Sequence, residues 1–260
     1  MVPKVIHYCW FGKKRKPKLV RDCISSWKRL HPDFEIVEWN ESNFKLNNSF
    51  SRKMYANKKW AFVSDYARLK ILYENGGVYF DTDMLLLKSI NSVIDGSFDC
   101  VLCAEDDNFI SCGFIACSSE NLFIKNCLEY YQDVNVQIQT IPQIITKIFN
   151  DLFDYNERFE TIRFVNNIKI LPADYFYPLP LSERENIKQD HSYIKEETIG
   201  VHLWNYSWEE IKEDQNEYYY LNKKEYIKAS KIILFNITTF KLWKIRQYLG
   251  SLKSCISNFR

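Results

Sequence analysis

The chain has 260 residues, of which 46% are hydrophobic and 26% charged, and its formal net charge is +2. This length and apolar content suffice for one generous α/β core, and the presence of only 7 glycines and 7 prolines argues against a loop-dominated or disordered chain. The nearly balanced charge gives no general affinity for nucleic acid, so we expect no nucleic-acid partner.

Predicted strands and helices alternate from the N-terminus. The run 4–11 predicts a first strand, the helical spacing of 17–32 a first helix, and the alternation of 34–39 a second strand. Residues 59–77 predict a helix that stops at a glycine pair, and 78–80 predict a buried strand. Further strands are expected at 98–104, 113–117, 167–172 and 198–204, and further helices at 120–132 and 138–150. This order predicts an α/β fold with a mainly parallel sheet and flanking helices.

We expect an α/β domain over residues 1–220, followed by a basic amphipathic helical segment over 221–260. No acidic residue follows Glu225, whereas lysines and arginines continue to the end. Apolar residues from Leu242 to Ile256 recur every three or four positions, as in an amphipathic helix. Such a helix can lie on an anionic membrane or pack on the domain, and the sequence leaves both open.

The cysteine pattern and the N-terminus indicate the compartment. The eight cysteines lie in apolar segments, and the CxxC at Cys100 and Cys103 lacks the second pair of a zinc site. Buried free thiols in a reducing compartment are therefore expected. Neither a signal peptide nor a membrane span is recognisable. The prediction is a cytoplasmic protein, peripheral on the inner face of the plasma membrane if the C-terminal segment binds lipid.

Two carboxylates follow the predicted strand 78–80. In an extended segment Asp81 and Asp83 point to the same side, at the strand end where open α/β sheets bind ligands. Paired carboxylates suit Mg²⁺ or Mn²⁺, which commonly hold phosphates as well, so the motif predicts a metal-bound diphosphate. Asp65 and Arg68 share a face of the preceding helix and would border the same crevice. A chance DxD and an ordinary surface ion pair are the alternatives.

These motifs resemble a known family. The chain resembles glycosyltransferase family 32 in four segments: "VPKVIHYCWFG" (2–12), "SWKRLHPDFEIVEWNESNF" (26–44), "KKWAFVSDYARLKILYENGGVYFDTDMLLLKSI" (58–90) and "GVHLWNYSW" (200–208). Its members include capsular-polysaccharide transferases of the DXD type, and the glucosyltransferase domain of the large clostridial toxins is a more distant relative. The late segment departs from the family pattern, because it has one histidine where many relatives have two.

The resemblance implies a GT-A fold, a Rossmann-like sheet that binds a nucleotide sugar. It implies catalytic roles for Asp81, Asp83 and Arg68. The donor would be bound by Trp10, Asp65, Arg68, Tyr79, Asp81 and Trp208. A Mn²⁺ or Mg²⁺ ion would be held by Asp83, Asp81 and His202.

The implied reaction is a metal-dependent, retaining transfer of a hexose from a nucleotide sugar, with UDP-galactose or UDP-glucose favoured as donor. The acceptor would be a glycan or a lipid-linked saccharide in surface or capsule polysaccharide synthesis. Positive groups would stabilise the departing diphosphate. We assign the loop carboxylates Glu105, Asp106 and Asp107 to the acceptor, although an inverting enzyme would use one of them as base.

Two other functions compete with this hypothesis. In phosphatases of the haloacid-dehalogenase type a strand also ends in DxD, and Asp81 would then be the nucleophile. There the motif usually continues with Thr or Val, whereas Met84 and Leu85 follow here. The second alternative is a non-catalytic nucleotide-sugar binding protein. Dehydrogenase and P-loop functions lack their glycine motifs.

Overall fold

A seven-stranded sheet with an apolar core on each face organises the protein. The computed structural model describes residues 1–132, 139–180 and 192–205, which all belong to one unit, Met1–Asn205. One core lies between the sheet and helices α3 to α5, and the other contains helix α1. The predicted C-terminal segment, 221–260, lies outside the described residues.

The described helices and strands follow the predicted order. The helices are α1 (Lys18–Leu30), α2 (Ser49–Ala56), α3 (Trp60–Asn75), α4 (Leu122–Tyr130) and α5 (Ile141–Phe153). The strands are β1 (Val5–Cys9), β2 (Glu35–Trp39), β3 (Gly77–Phe80), β4 (Met84–Leu86), β5 (Cys100–Ala104), β6 (Ile110–Cys117), β7 (Arg163–Val165), β8 (Ile168–Leu171) and β9 (Gly200–His202). Short 3₁₀ turns cover Ile90–Ser92 and Ala173–Tyr175.

The strand order of the main sheet is β2-β1-β3-β6-β5-β8-β7. Strand β1 is parallel to β2 and β3, and β5 is parallel to β8, while β6 and β7 are antiparallel to their neighbours. Strands β4 and β9 form a separate antiparallel pair. The predicted α/β class, a mostly parallel sheet with flanking helices, is confirmed. Strand β7 and the β4–β9 pairing were not predicted, since three-residue strands carry too little periodicity.

Helix α3 leads directly into strand β3 through two glycines. Gly76 has a φ of +65°, and a Cβ at this position would lie 2.6 Å from the backbone nitrogen of Ser119. Its amide donates a hydrogen bond to the carbonyl of Leu72 and ends the helix. This tight connection fixes the position of α3 relative to the end of β3.

Helix α1 supports the small sheet. The indole Nε1 of Trp27 donates to the carbonyl of Met84 over 2.7 Å, and the hydroxyl of Ser26 accepts from the amide of Leu86 over 3.0 Å. Both side chains are buried. Strand β4 begins at Met84, the residue after Asp83, and these two hydrogen bonds attach it to helix α1.

The prediction of buried free thiols is confirmed for the described part of the chain, whereas the reducing compartment stays a prediction. The seven cysteines there are all buried and free, and burial raises the pKa of the Cys103 and Cys117 thiols. Among the described residues, no helix has the length and apolarity needed to cross a membrane.

His7 is a neutral buried histidine on β1 that contacts strand β2 and the end of helix α3. Trp39 Nε1 donates to His7 Nδ1 over 3.1 Å, so the proton is on Nε2, which lies 3.0 Å from the carbonyl of Gly76. Burial lowers the pKa of His7 from 6.5 to about 4, although the Gly76 carbonyl favours the charged form. The unfolded chain therefore takes up this proton at a higher pH than the native protein does.

This difference predicts acid sensitivity. Because the pKa of His7 is depressed in the folded state, its contribution to stability is present above pH 6.5 and is lost as the pH falls toward 4. The loss amounts to about 3 kcal/mol in the free energy of unfolding. Urea unfolding at a series of pH values should show a shallower slope in this window for His7→Gln than for the wild type. Equal slopes would contradict the assignment.

Candidate active site

The carboxyl ends of three adjacent parallel strands form one edge of the sheet. Trp10 follows β1, Trp39 ends β2, and Asp81 follows β3. The amide of Trp10 donates to the carbonyl of Trp39 over 2.8 Å, which fixes the start of the loop after β1. This is the edge at which open α/β sheets bind ligands.

Arg68 on α3 binds the carboxylates of Asp65 and Asp81. Its Nη2 lies 3.0 Å from Asp65 Oδ1, and its Nη1 lies 3.2 Å from the carboxylate of Asp81. Nη1 also donates to the carbonyl of Cys112 over 2.7 Å, and the guanidinium carbon lies 4.7 Å from the centre of the Tyr79 ring. The side chains of Arg68 and Asp65 are only 5% and 9% exposed, so the alternative of a surface ion pair is wrong.

The buried guanidinium of Arg68 thus interacts with two carboxylates, those of Asp65 and Asp81. Burial, and to a lesser degree the charge of Asp81, raises the pKa of Asp65 to about 7, although Arg68 opposes this shift. Burial disfavours the charged form of Arg68, but Asp81 and the other nearby groups raise its pKa well above the usual value. Arg68 therefore stays charged, and Asp65 titrates near neutral pH.

The DxD motif is folded as a turn. The amide of Met84 donates to the carbonyl of Asp81 over 3.0 Å, which closes a turn across Thr82 and Asp83. The expectation of an extended segment with both carboxylates on one side is therefore wrong. Asp81 accepts from the hydroxyl of Tyr79 over 3.3 Å and faces Arg68, whereas Asp83 has partners from a different part of the chain.

Asp83 pairs with His202. Its Oδ1 lies 3.3 Å from His202 Nε2, and its Oδ2 accepts from the amide of Asn205 over 2.8 Å. The pairing depends on the small sheet, in which Met84 is opposite His202. Burial disfavours both charges, but their mutual attraction prevails, lowering the pKa of Asp83 and raising that of His202.

The residues around Asp83 fit a divalent metal ion. A buried carboxylate beside an imidazole is a donor set that suits Mn²⁺, and within the described ranges His202 Nδ1 is buried without a hydrogen-bond partner. No group of three or more His, Cys, Asp or Glu is close enough to form a complete site within those ranges. A metal held by Asp83 and His202 would take its other ligands from phosphate oxygens and water, as Mg²⁺ and Mn²⁺ often do.

Tyr177 and Gly113 belong to the site and were not predicted. The ring of Tyr177 stacks on His202 with centroids 5.0 Å apart, and its hydroxyl accepts from the amide of Gly113 over 3.1 Å. A Cβ on Gly113 would lie 2.5 Å from that hydroxyl oxygen and 2.9 Å from Asp81 Oδ2. Only glycine fits here. The sequence signal for Gly113 is that it is an isolated glycine inside an apolar run. No sequence pattern indicated that Tyr177 belongs to the site.

Trp10 lies beside the predicted nucleotide position. It is half-buried, its Nε1 donates to the carbonyl of Lys14 over 2.6 Å, and the ammonium of Lys16 lies 6.0 Å from its ring centre. Trp208 lies outside the described residues. The assignment of these two side chains to the nucleotide sugar stays a prediction.

The predicted acceptor loop follows β5. Burial raises the pKa of Glu105 to about 7, and the nearby Asp106 acts in the same direction. Asp106 accepts hydrogen bonds from two amides of its own loop, and Asp107 lies 3.3 Å from the guanidinium of Arg158. Glu105 is thus the member of the three with a partly buried carboxyl near His202, and its role stays a prediction.

Comparisons with known proteins agree with this site. Residues 17–99 match the family model described as "Glycosyltransferase sugar-binding region containing DXD motif", and residues 119–226 match "Alpha 1,4-glycosyltransferase conserved region". The first match contains Asp65, Arg68 and the DxD turn, and the second contains Gly200 to His202. Glycosyltransferases with a DXD motif typically use a divalent metal.

Curated relatives are distant. Lactosylceramide 4-alpha-galactosyltransferase of Pongo pygmaeus is 26% identical over 151 residues, which is 55% of this chain and 66% of the relative. Human alpha-1,4-N-acetylglucosaminyltransferase is 28% identical over 193 residues, which is 69% of this chain and 50% of the relative. The chain thus spans between half and two thirds of the length of these two relatives. The solved "PaToxG Glycosyltransferase" shares 17% identity, with a TM-score of 0.48 over 59% of this chain and 70% of that chain.

These matches show that the chain is similar to glycosyltransferases with a sugar-binding DXD region. The recognition of a DXD-type glycosyltransferase from the sequence is confirmed.

Replacing Arg68 should destabilise the fold, because it leaves the carboxylates of Asp65 and Asp81 without their cation. We expect Arg68→Met to lower the free energy of unfolding by roughly 3–5 kcal/mol, because Asp65 and Asp81 lose their buried cation. The double variant Arg68→Met/Asp65→Asn removes one of the two charges and should recover part of the loss. Urea denaturation at pH 8, above the pKa of about 7 that Asp65 has in the wild type, measures both. A double variant no more stable than the single one would contradict this account.

Proposed function

We propose that this protein transfers a hexose from a UDP-sugar, with UDP-galactose or UDP-glucose as the favoured donor, to a glycan or lipid-linked saccharide. The observation that carries the proposal is the buried Asp65–Arg68–Asp81 cluster beside the Asp83–His202 pair, at the carboxyl ends of β1 and β3. The galactosyltransferase and N-acetylglucosaminyltransferase names of the relatives support a sugar transferase.

In this proposal the carboxylates bind the donor and Arg68 holds them in place. Four of the five N–H donors of Arg68 are used by Ser64, Asp65, Asp81 and Cys112. A guanidinium engaged in this way is a positioning group. Asp81, whose side chain is 25% exposed, is the member that accepts hydrogen bonds from sugar or ribose hydroxyls.

Breakage of the bond between sugar and phosphate places negative charge on the departing UDP. A Mn²⁺ or Mg²⁺ ion held by Asp83 and His202 would supply positive charge beside that group. Asp83 and the stacked ring of Tyr177 orient the imidazole of His202 toward this task. Trp10 would stack on the uracil ring, and Trp208 would cover the diphosphate.

We propose that the reaction retains the anomeric configuration. The relatives are named as alpha-transferases, and an α-linked product from an α-linked UDP-hexose requires retention. In a front-face reaction a donor phosphate oxygen takes the acceptor's proton, so no side chain has to act as base. Glu105 then binds an acceptor hydroxyl.

The acceptor and the location follow from the same reasoning. One relative is named for lactosylceramide, a glycan on a lipid, which supports a lipid-linked acceptor here as well. We place the reaction in surface or capsule polysaccharide synthesis at the cytoplasmic face of the plasma membrane. No contact of the site favours a phosphatase, because Arg68 and Tyr79 already engage the Asp81 carboxylate that would be its nucleophile.

A panel of nucleotide sugars tests the function. With Mn²⁺ present, we expect slow hydrolysis of UDP-galactose or UDP-glucose, detected as released UDP. Asp83→Asn should lower this rate roughly 10²-fold or more, because it weakens the hold on His202 and the metal. Asp151→Asn, whose carboxylate pairs with an exposed lysine of the same helix, is the control and should match the wild type. If none of the nucleotide sugars in the panel is hydrolysed, the proposal is wrong.

The acceptor role of Glu105 has its own test. With the donor found in that panel and oligosaccharides as acceptors, Glu105→Gln should raise the acceptor KM by about tenfold, since the hydrogen bond between this carboxyl and an acceptor hydroxyl is lost. Donor hydrolysis without acceptor should stay unchanged. Glu129→Gln, an exposed glutamate 3.8 Å from Lys125 on the same helix, serves as control. If hydrolysis and transfer decline together, Glu105 serves the donor and the assignment is wrong.

A further inference from the structure

Charge is segregated along the chain. Residues 1–60 contain 14 Lys or Arg against 5 Asp or Glu, whereas residues 61–205 contain 11 against 22. The small net charge of the whole protein therefore conceals a basic N-terminal part and an acidic central part, residues 61–205. The acidic central part includes the carboxylates of the site, but the function proposed above does not use most of the basic residues.

Helix α1 displays this positive charge on one side. Its buried side consists of Val20, Cys23, Ile24, Ser26 and Trp27. Its exposed side carries the basic residues Lys18, Arg21, Lys28 and Arg29. The only acid on that side is Asp22, which pairs with Lys18 over 2.6 Å.

The loop before α1 extends the same surface. Lys13, Lys14 and Arg15 are exposed, and Arg21 Nη1 donates to the carbonyl of Lys16 over 2.6 Å, which ties the loop to the helix. Together they form what we call the basic face, which consists of Lys13, Lys14, Arg15, Lys18, Arg21, Lys28 and Arg29.

The extent of the basic face indicates its partner. Helix α1 has 13 residues and is therefore about 20 Å long. A bound diphosphate needs cations only near the strand ends, where the loop lies, so Lys28 and Arg29 at the other end of α1 are too distant to serve it. A row of exposed cations of this length, without exposed aromatic side chains, suits a broad anionic surface held by charge alone.

We propose that the basic face adsorbs to an anionic phospholipid bilayer. Attraction of this kind grows with each Lys or Arg near the surface and is screened by salt. The proposal concerns described residues of the N-terminal part and is independent of the C-terminal segment. It also does not rest on catalysis, since adsorption needs no donor sugar.

Vesicle binding of the full chain tests this. The triple variant Lys18→Gln/Lys28→Gln/Arg29→Gln should bind vesicles of phosphatidylglycerol and phosphatidylcholine at least ~10-fold more weakly than the wild type. The control Lys125→Gln/Lys147→Gln/Lys195→Gln removes the same charge from exposed lysines elsewhere and should bind normally. Wild-type binding should vanish at high salt and on pure phosphatidylcholine.

Other results would overturn the proposal. The proposal is wrong if the wild type does not bind anionic vesicles. It is also wrong if the variant Lys18→Gln/Lys28→Gln/Arg29→Gln binds as well as the wild type, or if the control variant loses as much binding as this test variant. Tighter binding to RNA than to the vesicles would also count against a lipid partner. Should the triple variant not fold, Lys28→Gln/Arg29→Gln gives the same comparison. Donor hydrolysis without vesicles should be equal in all variants, which separates this test from that of the proposed function.

Discussion

The buried guanidinium of Arg68 is the interaction on which the rest of the site depends. A charge removed from water is tolerated only if it is paired and hydrogen-bonded, and Arg68 meets this condition through Asp65, Asp81 and the carbonyl of Cys112. The three partners come from α3, from the end of β3 and from β6. The helix, the glycine connection at Gly76 and the order β3-β6 in the sheet must therefore all be in place before the charge is satisfied.

The two aspartates of the DxD motif belong to different networks. Asp81 lies on the Arg68 side of the turn, and Asp83 lies on the side of His202, where α1 supports β4 through Trp27. Gly113 and Tyr177 connect the two networks, because the Gly113 carbonyl accepts from the Asp81 amide and its own amide donates to the hydroxyl of Tyr177. The turn allows two aspartates that are separated only by Thr82 to be held by such distant parts of the chain.

The limits of the sequence prediction follow from this geometry. Helix α3 and strands β1 to β3 were predicted because periodicity and a glycine stop are local signals, and the Asp65, Arg68 and Asp81 grouping followed from them. The turn was not predicted because the side-chain alternation of a strand was assumed to continue beyond Phe80, whereas strand β3 ends at Phe80 and Asp81 lies outside it. The Asp83–His202 contact joins residues 119 positions apart in sequence through strands of three residues. Only the family resemblance placed both residues at the metal, and nothing indicated Tyr177.

The same contacts decide where positive charge for a departing diphosphate can come from. Arg68 has one N–H left and a side chain only 5% exposed, so it neutralises carboxylates and has little to offer a phosphate. Asp65, Asp81 and Asp83 would repel a diphosphate if they acted alone. Within the described residues, His202 lies beside Asp83, and that carboxylate raises the pKa of its imidazole despite burial. A divalent cation held by Asp83 and His202 would reduce the repulsion between these carboxylates and a diphosphate, which is a physical reason for the metal in the proposed function.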